Sequence, residues 1–171
     1  MKSILKSTKN KLLRKRDEVK WARSIGVTVG NDCRLIDVRF GSEPYLVSLG
    51  DHVSATKTVF ETHDGGVWVL RDKHPDIDVI KPVSVGSNVY FGDGSIIMPG
   101  VTIGSNVIIG AGSIVTRDIP SNSVAVGAPA RVIKAIDEYE VKALQNSIPT
   151  KRMPPLQKKA WIQKHYKKNV D

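Results

Sequence analysis

Apolar residues recur at every sixth position through the middle of the chain. Read from Val83, the successive blocks are VSVGSN, VYFGDG, SIIMPG, VTIGSN, VIIGAG and SIVTRD. The first place is Val or Ser, the fourth is usually glycine, and the third is always apolar. The third places are Val85, Phe91, Ile97, Ile103, Ile109 and Val115. A period of six matches neither an α-helix nor an ordinary two-sided strand.

This period predicts a coil of three short strands per turn, joined by tight turns. Because side chains alternate along a strand, the first and third places point inward. The glycines and asparagines fall where the chain must turn. Stacked coils then bury a continuous apolar column, with each coil contacting only its neighbours. We therefore expect an all-β solenoid with short α-helices at its N- and C-terminal ends.

The same spacing continues upstream with two interruptions. The upstream positions in register are Val47, Val53 and Val59, together with Leu49 and Ala55. The first interruption lies near residues 39–45, and the second covers residues 62–82. A long excursion from a regular solenoid is more often functional than accidental, so the second is the expected active-site loop.

The two ends of the chain differ from the repeat. Residues 7–22 predict a basic helix, and a second helix is expected from about Ile136. A linker containing prolines at 149–155 then leads to a final basic helix with Trp161. Helices of this kind can cap the open ends of a solenoid. The expected domains are a basic helical segment at 1–22, the solenoid at 23–134 and a basic helical tail at 135–171.

Composition narrows the function classes. The 171 residues, 40% hydrophobic and 25% charged, suit one principal globular domain. The single cysteine, Cys33, cannot form an internal disulfide. With no apolar signal segment and no run of about 20 apolar residues, we expect a cytoplasmic protein.

The net charge of +9 is concentrated at the two ends of the chain. It permits peripheral contact with an anionic membrane surface or a lipid-linked substrate. Nucleic-acid binding is not expected, because none of the usual recognition motifs accompanies the charge.

Residues 99–134, PGVTIGSNVIIGAGSIVTRDIPSNSVAVGAPARVIK, resemble the hexapeptide-repeat acyltransferases of the maltose, galactoside and xenobiotic acetyltransferase group. The upstream string RSIGVTVGNDCRLIDVRFGSEPYLVSLGD is similar to the branch that O-acetylates capsular, exopolysaccharide or lipopolysaccharide sugars. The resemblance implies a left-handed parallel β-helix and a homotrimer with active sites between subunits. It also implies acetyl-CoA as co-substrate, a sugar or lipid-linked sugar as acceptor, and no metal.

The resemblance places the catalytic histidine at His63, in the segment FETHD that opens the long excursion. An alcohol is a poor nucleophile until its proton is leaving, and imidazole is suited to remove that proton near neutral pH. Asp64 or Glu61 is the expected orienting group for the imidazole. Asp64 is followed by Gly65, however, and Asp-Gly is also a typical turn pair.

The remaining site residues are expected partly from the same resemblance and partly from residue type. The resemblance places the pantetheine arm along the small residues Gly110, Ala111 and Gly112, with amide contacts near Ala111 and Thr116. Arg117, Arg131 and Lys134 are the basic candidates for the phosphates, and Gly127, Ala128 and Pro129 would form the seat for adenine. A backbone amide near Gly92 and Asp93 is the candidate for stabilising the oxyanion. The candidate acceptor contacts are Tyr90, Arg71 and Glu43; the same group often has Trp at the position of Tyr90.

Other interpretations remain open at this point. An N-acetyltransferase acting on an amino sugar, or a serine-type O-acetyltransferase, would keep acetyl-CoA and His63. A non-catalytic basic binding scaffold would need neither. A γ-class carbonic anhydrase would need three zinc-binding histidines. His52, His63 and His74 are spaced by eleven, which is not a multiple of six and does not select equivalent wall positions.

Overall fold

The computed structural model describes residues 12–167. The strands in chain order are β1 (Thr28–Val29), β2 (Arg34–Ile36), β3 (Arg39–Phe40), β4 (Val47–Leu49), β5 (Val53–Thr56), β6 (Val59–Phe60), β7 (Val83–Val85), β8 (Val89–Phe91), β9 (Ile96–Ile97), β10 (Thr102–Ile103), β11 (Val107–Ile109), β12 (Ile114–Val115), β13 (Ser123–Gly127) and β14 (Ala130–Ala135). The α-helices are α1 (Glu18–Ser24), α2 (Ile136–Gln145) and α3 (Pro155–Lys167), and 3₁₀ helices cover Pro44–Leu46 and Gly65–Leu70.

Parallel pairing joins each strand from β1 to β9 to the strand three positions later. The chain therefore passes through three sheets in turn, and each circuit adds one coil. Sheet 1 has the order β1-β4-β7-β10, sheet 2 the order β14-β13-β11-β8-β5-β2, and sheet 3 the order β12-β9-β6-β3. The antiparallel hairpin of β13 and β14 ends the stack. The six-residue repeat thus forms the three-strand coil that its spacing predicts.

The third place of each block faces the interior, as expected. These six side chains are between 0% and 6% exposed, and the first places beside them are also buried. Aromatic rings continue the column upstream, where Phe60 lies between Phe40 and Phe91 with ring centroids 5.5 and 5.4 Å away. Burial of this continuous apolar column is the main stabilisation available to the coil.

One upstream residue departs from the predicted register. Val59 was expected to point inward, but it pairs with Ile96 and, although only 7% exposed, lies outside the apolar column. Phe60 instead faces inward, opposite Ile97. The turn before β6 is one residue shorter than the turn before β9, and Lys57 adopts a φ of 46° within it. The shorter turn shifts the inward position by one residue.

Asparagine side chains form a ladder at the corner between sheets 1 and 2. Asn88, Asn106 and Asn122 all adopt left-handed φ angles of 58–59°, which asparagine tolerates better than most residues. The Asn88 amide donates to Asn106 at 2.9 Å, and the Asn106 amide donates to Asn122 at 2.9 Å. The asparagine that ends two of the sequence blocks therefore both makes the turn and bonds to the next coil.

Both interruptions of the repeat leave the coil at the same corner, between sheets 3 and 1. In a regular coil, Val101 follows Ile97 after four positions. The corresponding step takes seven positions from Phe40 to Val47 in the first coil and twenty-three from Phe60 in the second. The excursions of residues 41–46 and 61–82 therefore arise one above the other in adjacent coils.

The helix predicted at residues 7–22 is interrupted at Asp17. Residues 12–16 are helical, α1 follows and extends to Ser24, and residues 7–11 lie outside the described range. Asp17 caps α1, because its carboxylate accepts a hydrogen bond from the Lys20 N–H at 2.9 Å. That hydrogen bond lowers the pKa of Asp17. Glu18 in turn accepts from the backbone N–H of Val38 at 3.1 Å, which ties α1 to the first coil.

The chain divides into two compact units, Met1–Glu138 and Tyr139–Asp171. The first contains the coil and α1. The second contains most of α2 and all of α3, with Trp161 stacked on His165 at a centroid distance of 4.7 Å. None of the helices in the described range has the length and apolar character that crossing a membrane would require.

Replacing Phe60 by alanine tests the packing of the column. Phe60 is fully buried between two other rings, so Phe60→Ala leaves a cavity that the coil cannot close. We expect the free energy of unfolding to fall by about 3–5 kcal/mol in urea titrations at fixed protein concentration. Thr28→Ala, at an exposed site on β1, should change it by less than about 0.5 kcal/mol. A loss below about 1 kcal/mol for Phe60→Ala would contradict the packing described here.

Candidate active site

His63 lies at the base of the long excursion, where the backbone is held by strand-like contacts. His63 bridges to Ile80 in antiparallel fashion. On either side, the Asp64 N–H donates to the Val79 carbonyl and the Lys81 N–H donates to the Thr62 carbonyl, both at 2.9 Å. The outgoing and returning limbs of the excursion therefore pair with each other, and this pairing fixes the backbone at His63.

Two carboxylates flank the imidazole of His63. Its Nδ1 lies 3.9 Å from Glu43 Oε1, and its Nε2 lies 3.6 Å from Asp78 Oδ1. The His63 side chain is 26% exposed, so one part of the ring remains accessible to a small molecule. The two neighbours differ in environment, since the Glu43 side chain is 13% exposed and the Asp78 side chain 51%.

Glu43 is held against the base of the excursion by Thr62. The buried Thr62 hydroxyl donates to Glu43 Oε2 at 2.9 Å, while the Glu43 N–H donates to the Thr62 hydroxyl oxygen at 3.4 Å. Gly41 permits this approach, because a Cβ there would come within 2.8 Å of the Thr62 hydroxyl oxygen. Glu43, considered as an acceptor contact from the sequence, thus lies behind the imidazole.

Neither of the carboxylates expected to orient His63 lies within 4.0 Å of its ring among the described residues. Asp64 caps the 3₁₀ helix Gly65–Leu70 by accepting from the Gly66 N–H at 2.9 Å, which is the turn role that its sequence context also suggested. Glu61 lies beside Gly41, where an added Cβ would be 3.3 Å from its carboxylate.

Asp78 was not singled out in the sequence, where it is one of several acidic residues in an irregular loop. The structure brings it back to His63 on the returning limb of the excursion. Arg71, a predicted acceptor contact, donates to Asp78 Oδ1 at 2.8 Å. Arg71 and Asp78 are both partly exposed, and this ion pair lies on the Nε2 side of the imidazole.

The predicted cofactor glycines form a corner between sheets 2 and 3. Gly92 and Gly110 stack so closely that a Cβ on Gly92 would collide with the Ala111 backbone. The Gly92 N–H donates to the Ile109 carbonyl at 2.8 Å. That amide is therefore engaged within the sheet of one chain, and an oxyanion donor near Asp93 stays a prediction. The Asp93 carboxylate lies 3.4 Å from the Lys57 ammonium.

This glycine corner has an uncovered backbone edge. A Cβ built on Gly94 or on Gly112 would meet nothing within 4 Å. Gly127, the last residue of β13, donates its N–H to the Ser113 hydroxyl at 3.1 Å and begins the turn to Ala128 and Pro129. An edge with no side chains in front of it suits a narrow chain such as a pantetheine arm.

The basic and hydroxyl residues predicted to bind the cofactor are distributed over two places. Arg131 and Lys134 lie on β14, in the hairpin next to the glycine corner. Thr116 and Arg117 follow β12 and so lie at the carboxyl ends of the sheet 3 strands, whereas the glycines lie before these strands. His63 likewise follows β6, and β6 and β12 are two strands apart, which corresponds to about 10 Å between these strands.

A groove of about 500 Å³ lies on the outer face of sheet 2, away from His63. Tyr90, a predicted acceptor contact, lines it together with Arg34, Asn106 and Ile108. Tyr90 is 48% exposed and stands between Ser54 and Ile108 on the neighbouring strands. Within one chain, Tyr90 thus faces a groove that neither His63 nor the glycine corner lines.

Over residues 12–167, no three His, Cys, Asp or Glu side chains lie close enough together to hold a metal ion. Of the three histidines spaced by eleven, His52 lies at a corner of the coil, where its Nδ1 is 2.8 Å from Asn88 Oδ1. His63 and His74 belong to the long excursion. The equal spacing therefore corresponds to no shared site.

Known proteins resemble this chain in both sequence and fold. The family model "Bacterial transferase hexapeptide (six repeats)" matches residues 82–117. Protein CapG of Staphylococcus aureus is 52% identical over 151 residues, which are 86% of this chain and 88% of CapG.

Two solved acetyltransferases share the fold. A galactoside acetyltransferase in complex with coenzyme A is 32% identical with a TM-score of 0.59, over 78% of this chain and 82% of that one. The polySia-specific acetyltransferase NeuO is 30% identical with a TM-score of 0.54, over 64% of this chain and 51% of that one. The chain therefore belongs to the hexapeptide-repeat acetyltransferases, a family of acetyl-CoA-dependent enzymes.

Proposed function

We propose that this enzyme transfers an acetyl group from acetyl-CoA to a sugar hydroxyl in the biosynthesis of a surface polysaccharide, with His63 as general base. The observation that carries the proposal is the setting of His63. Its imidazole is partly exposed at the base of an excursion whose two limbs are hydrogen-bonded to each other, and the largely buried Glu43 carboxylate lies on its Nδ1 side. This arrangement is suited to accept a proton from a bound hydroxyl group.

His63 acts on the proton of the acceptor hydroxyl. Acetyl-CoA supplies the acyl group as a thioester, whose carbonyl carbon is attacked by the acceptor oxygen. Nε2 takes the hydroxyl proton as the C–O bond forms, and it returns that proton to the departing sulfur as the C–S bond breaks. The imidazole is thereby regenerated, and neither a metal nor a covalent enzyme intermediate is required.

A sugar acceptor is supported by the names of the two solved relatives, one a galactoside acetyltransferase and the other a polySia-specific acetyltransferase. In this chain, Arg71 and Asp78 lie on the Nε2 side of His63 and offer a hydrogen-bond donor and an acceptor. A sugar presents several hydroxyls, so one can approach Nε2 while its neighbours bond to this pair.

The glycine corner and the adjacent basic residues fit acetyl-CoA. The open edge at Gly94 and Gly112 would accept the pantetheine arm near Ala111, and the exposed Arg131 and the half-buried Lys134 would hold phosphates. The turn of Gly127, Ala128 and Pro129 would form the adenine seat. Thr116 and Arg117 would contact the cofactor from the His63 end of sheet 3.

We further propose a homotrimer of left-handed β-helices, each formed by residues 23–134, with active sites shared between subunits. Within one chain, His63 follows a strand of sheet 3 whereas the glycine corner precedes the strands of that sheet, and Tyr90 faces a separate groove. A second subunit would bring these surfaces together. The exposed tip of the excursion, with Trp68 77% and Val69 80% exposed, is available to pack on that neighbour. Reliance on acetyl-CoA favours a cytoplasmic enzyme, and the basic ends would allow peripheral contact with the inner membrane face.

Replacing His63 tests the general base. His63→Ala should slow acetyl transfer about 10²–10⁴-fold, measured as thiol release with sugars and lipid-linked oligosaccharides as acceptors. Binding of coenzyme A, followed by calorimetry, should be unchanged. His74→Ala, an exposed residue of the same excursion, serves as the control and should retain full activity. Normal turnover by His63→Ala would remove the base assignment.

The linkage in the product distinguishes the acceptor classes during the same assay. A sugar O-acetyl ester is hydrolysed by mild alkali, whereas an amide formed on an amino sugar is not. An alkali-stable product, or turnover with serine and no sugar, would replace the proposed acceptor. If the wild type did not bind coenzyme A, the proposed enzyme activity would fail, and only the interpretation as a non-catalytic basic binding scaffold would remain.

Arg131→Ala tests the phosphate contact. Loss of one charge-assisted hydrogen bond should raise the Kd for coenzyme A about tenfold. The same variant should bind a pantetheine thioester that lacks the nucleotide as well as the wild type does. Equal weakening for both ligands would show that Arg131 stabilises the hairpin of β13 and β14 and does not bind the phosphates.

Arg71→Ala tests the acceptor contact. Since Arg71 is bonded to Asp78 on the Nε2 side of His63, its loss should raise KM for the sugar about three- to tenfold and leave KM for acetyl-CoA within about twofold. Lys73→Ala, a change to a nearby exposed cation, provides the control. An unchanged sugar KM would show that Arg71 only holds the excursion through its ion pair with Asp78 and does not contact the acceptor.

A further inference from the structure

We propose that Glu43 is a positioning residue that keeps the His63 proton on Nδ1 and so leaves Nε2 able to act as a base. The inference rests on the proposed role of His63. It assigns to Glu43 the orienting function that the sequence suggested for Asp64 or Glu61. Glu43 acts through the imidazole and does not itself touch the reacting atoms.

The fold places Glu43 behind the imidazole through the stacking of two coils. Glu43 belongs to the short excursion after β3, and His63 belongs to the long excursion after β6. β3 and β6 are parallel neighbours in sheet 3, with Phe40 opposite Phe60. Residues twenty positions apart therefore meet at one corner, where one excursion supplies the base and the other supplies a carboxylate.

The Glu43 carboxylate has a distinct role for each oxygen. Oε2 accepts from the Thr62 hydroxyl at 2.9 Å, which leaves Oε1 facing His63 Nδ1 at 3.9 Å. That distance is longer than a hydrogen bond, and a shift of about 1 Å of the imidazole towards Oε1 would close it while the bond to Thr62 is kept. A carboxylate that is 13% exposed needs more than one partner, and an N–H at Nδ1 would supply the second.

Asp78 is the competing carboxylate, because it faces Nε2 at 3.6 Å and would favour a proton there. Its Oδ1 already accepts from the Arg71 guanidinium at 2.8 Å, and its side chain is 51% exposed. Solvent and Arg71 therefore screen its charge, whereas the Glu43 charge acts through a less hydrated path. Glu43 should accordingly determine which nitrogen carries the proton.

Glu43→Gln tests this role while preserving the shape of the side chain. With the amide oxygen bonded to Thr62, the amide NH₂ would point at Nδ1 and donate to it, which moves the imidazole proton to Nε2. We expect kcat to fall by at least about tenfold, up to the ~10⁴-fold seen when a catalytic triad loses its tautomer. KM for acetyl-CoA should stay within about twofold.

Two further variants separate positioning from folding. Thr62→Val removes the hydroxyl that fixes Glu43 and should lower kcat in the same direction by a smaller factor. Asp72→Asn changes an exposed acid of the same excursion and should leave kcat unchanged. Thermal unfolding of all three variants near the wild-type temperature would show that the coil is intact.

The imidazole tautomer provides a readout that does not depend on activity. ¹⁵N spectra of the labelled full-length enzyme should show His63 protonated at Nδ1 in the wild type and shifted towards Nε2 protonation in Glu43→Gln. The signal missing from the His63→Ala spectrum gives the assignment. The same tautomer in both proteins, or an undiminished kcat in Glu43→Gln, would overturn the inference. If His63→Ala alone were fully active, the proposed base would fail instead, and the tautomer result would still stand.

Discussion

Parallel pairing between each strand and the one three positions later is the constraint on which the rest of the structure depends. It places equivalent residues of successive coils directly above one another, so every inward side chain must pack on those of the coils before and after it. This is why valine and isoleucine repeat with a period of six. It also means that anything inserted at a corner emerges next to the same corner of the adjacent coil.

The candidate site residues therefore lie at the corners, whereas the sheets supply the buried apolar column. One corner is closed by asparagines that bond along the stack, and it shows no irregularity in the repeat blocks. A second is built from glycines that bring successive backbones together and leave an uncovered edge. At the third corner two excursions leave the coil and contact each other, so that His63 lies between Glu43 and Asp78. Each corner thus follows from the residue types that its turns require.

The sequence was sufficient to predict the repeat and the inward positions from Val85 to Val115, because these features are periodic and the residue spacing contains them. It also predicted helices near both ends, although Asp17 interrupts the first of them, and the family followed from the resemblance of residues 99–134. The register at Val59 was predicted wrongly, because a turn shorter by one residue is not visible until Phe60 is seen opposite Ile97. The partners of His63 could not be predicted, since Glu43 is twenty residues away and Asp78 returns through an irregular loop. Neighbours in the chain, Asp64 and Glu61, were the natural choice without knowledge of the stacking.

A crystal structure of the full chain with coenzyme A would test the central claim most directly, because that claim is spatial. The account predicts that the coenzyme's sulfur lies within about 4 Å of His63 Nε2 of one subunit, in reach of proton transfer. Its pantetheine arm should follow a glycine corner, with the phosphates against Arg131 or Lys134. A sulfur atom more than about 10 Å from every His63, in a fully assembled oligomer, would contradict the account.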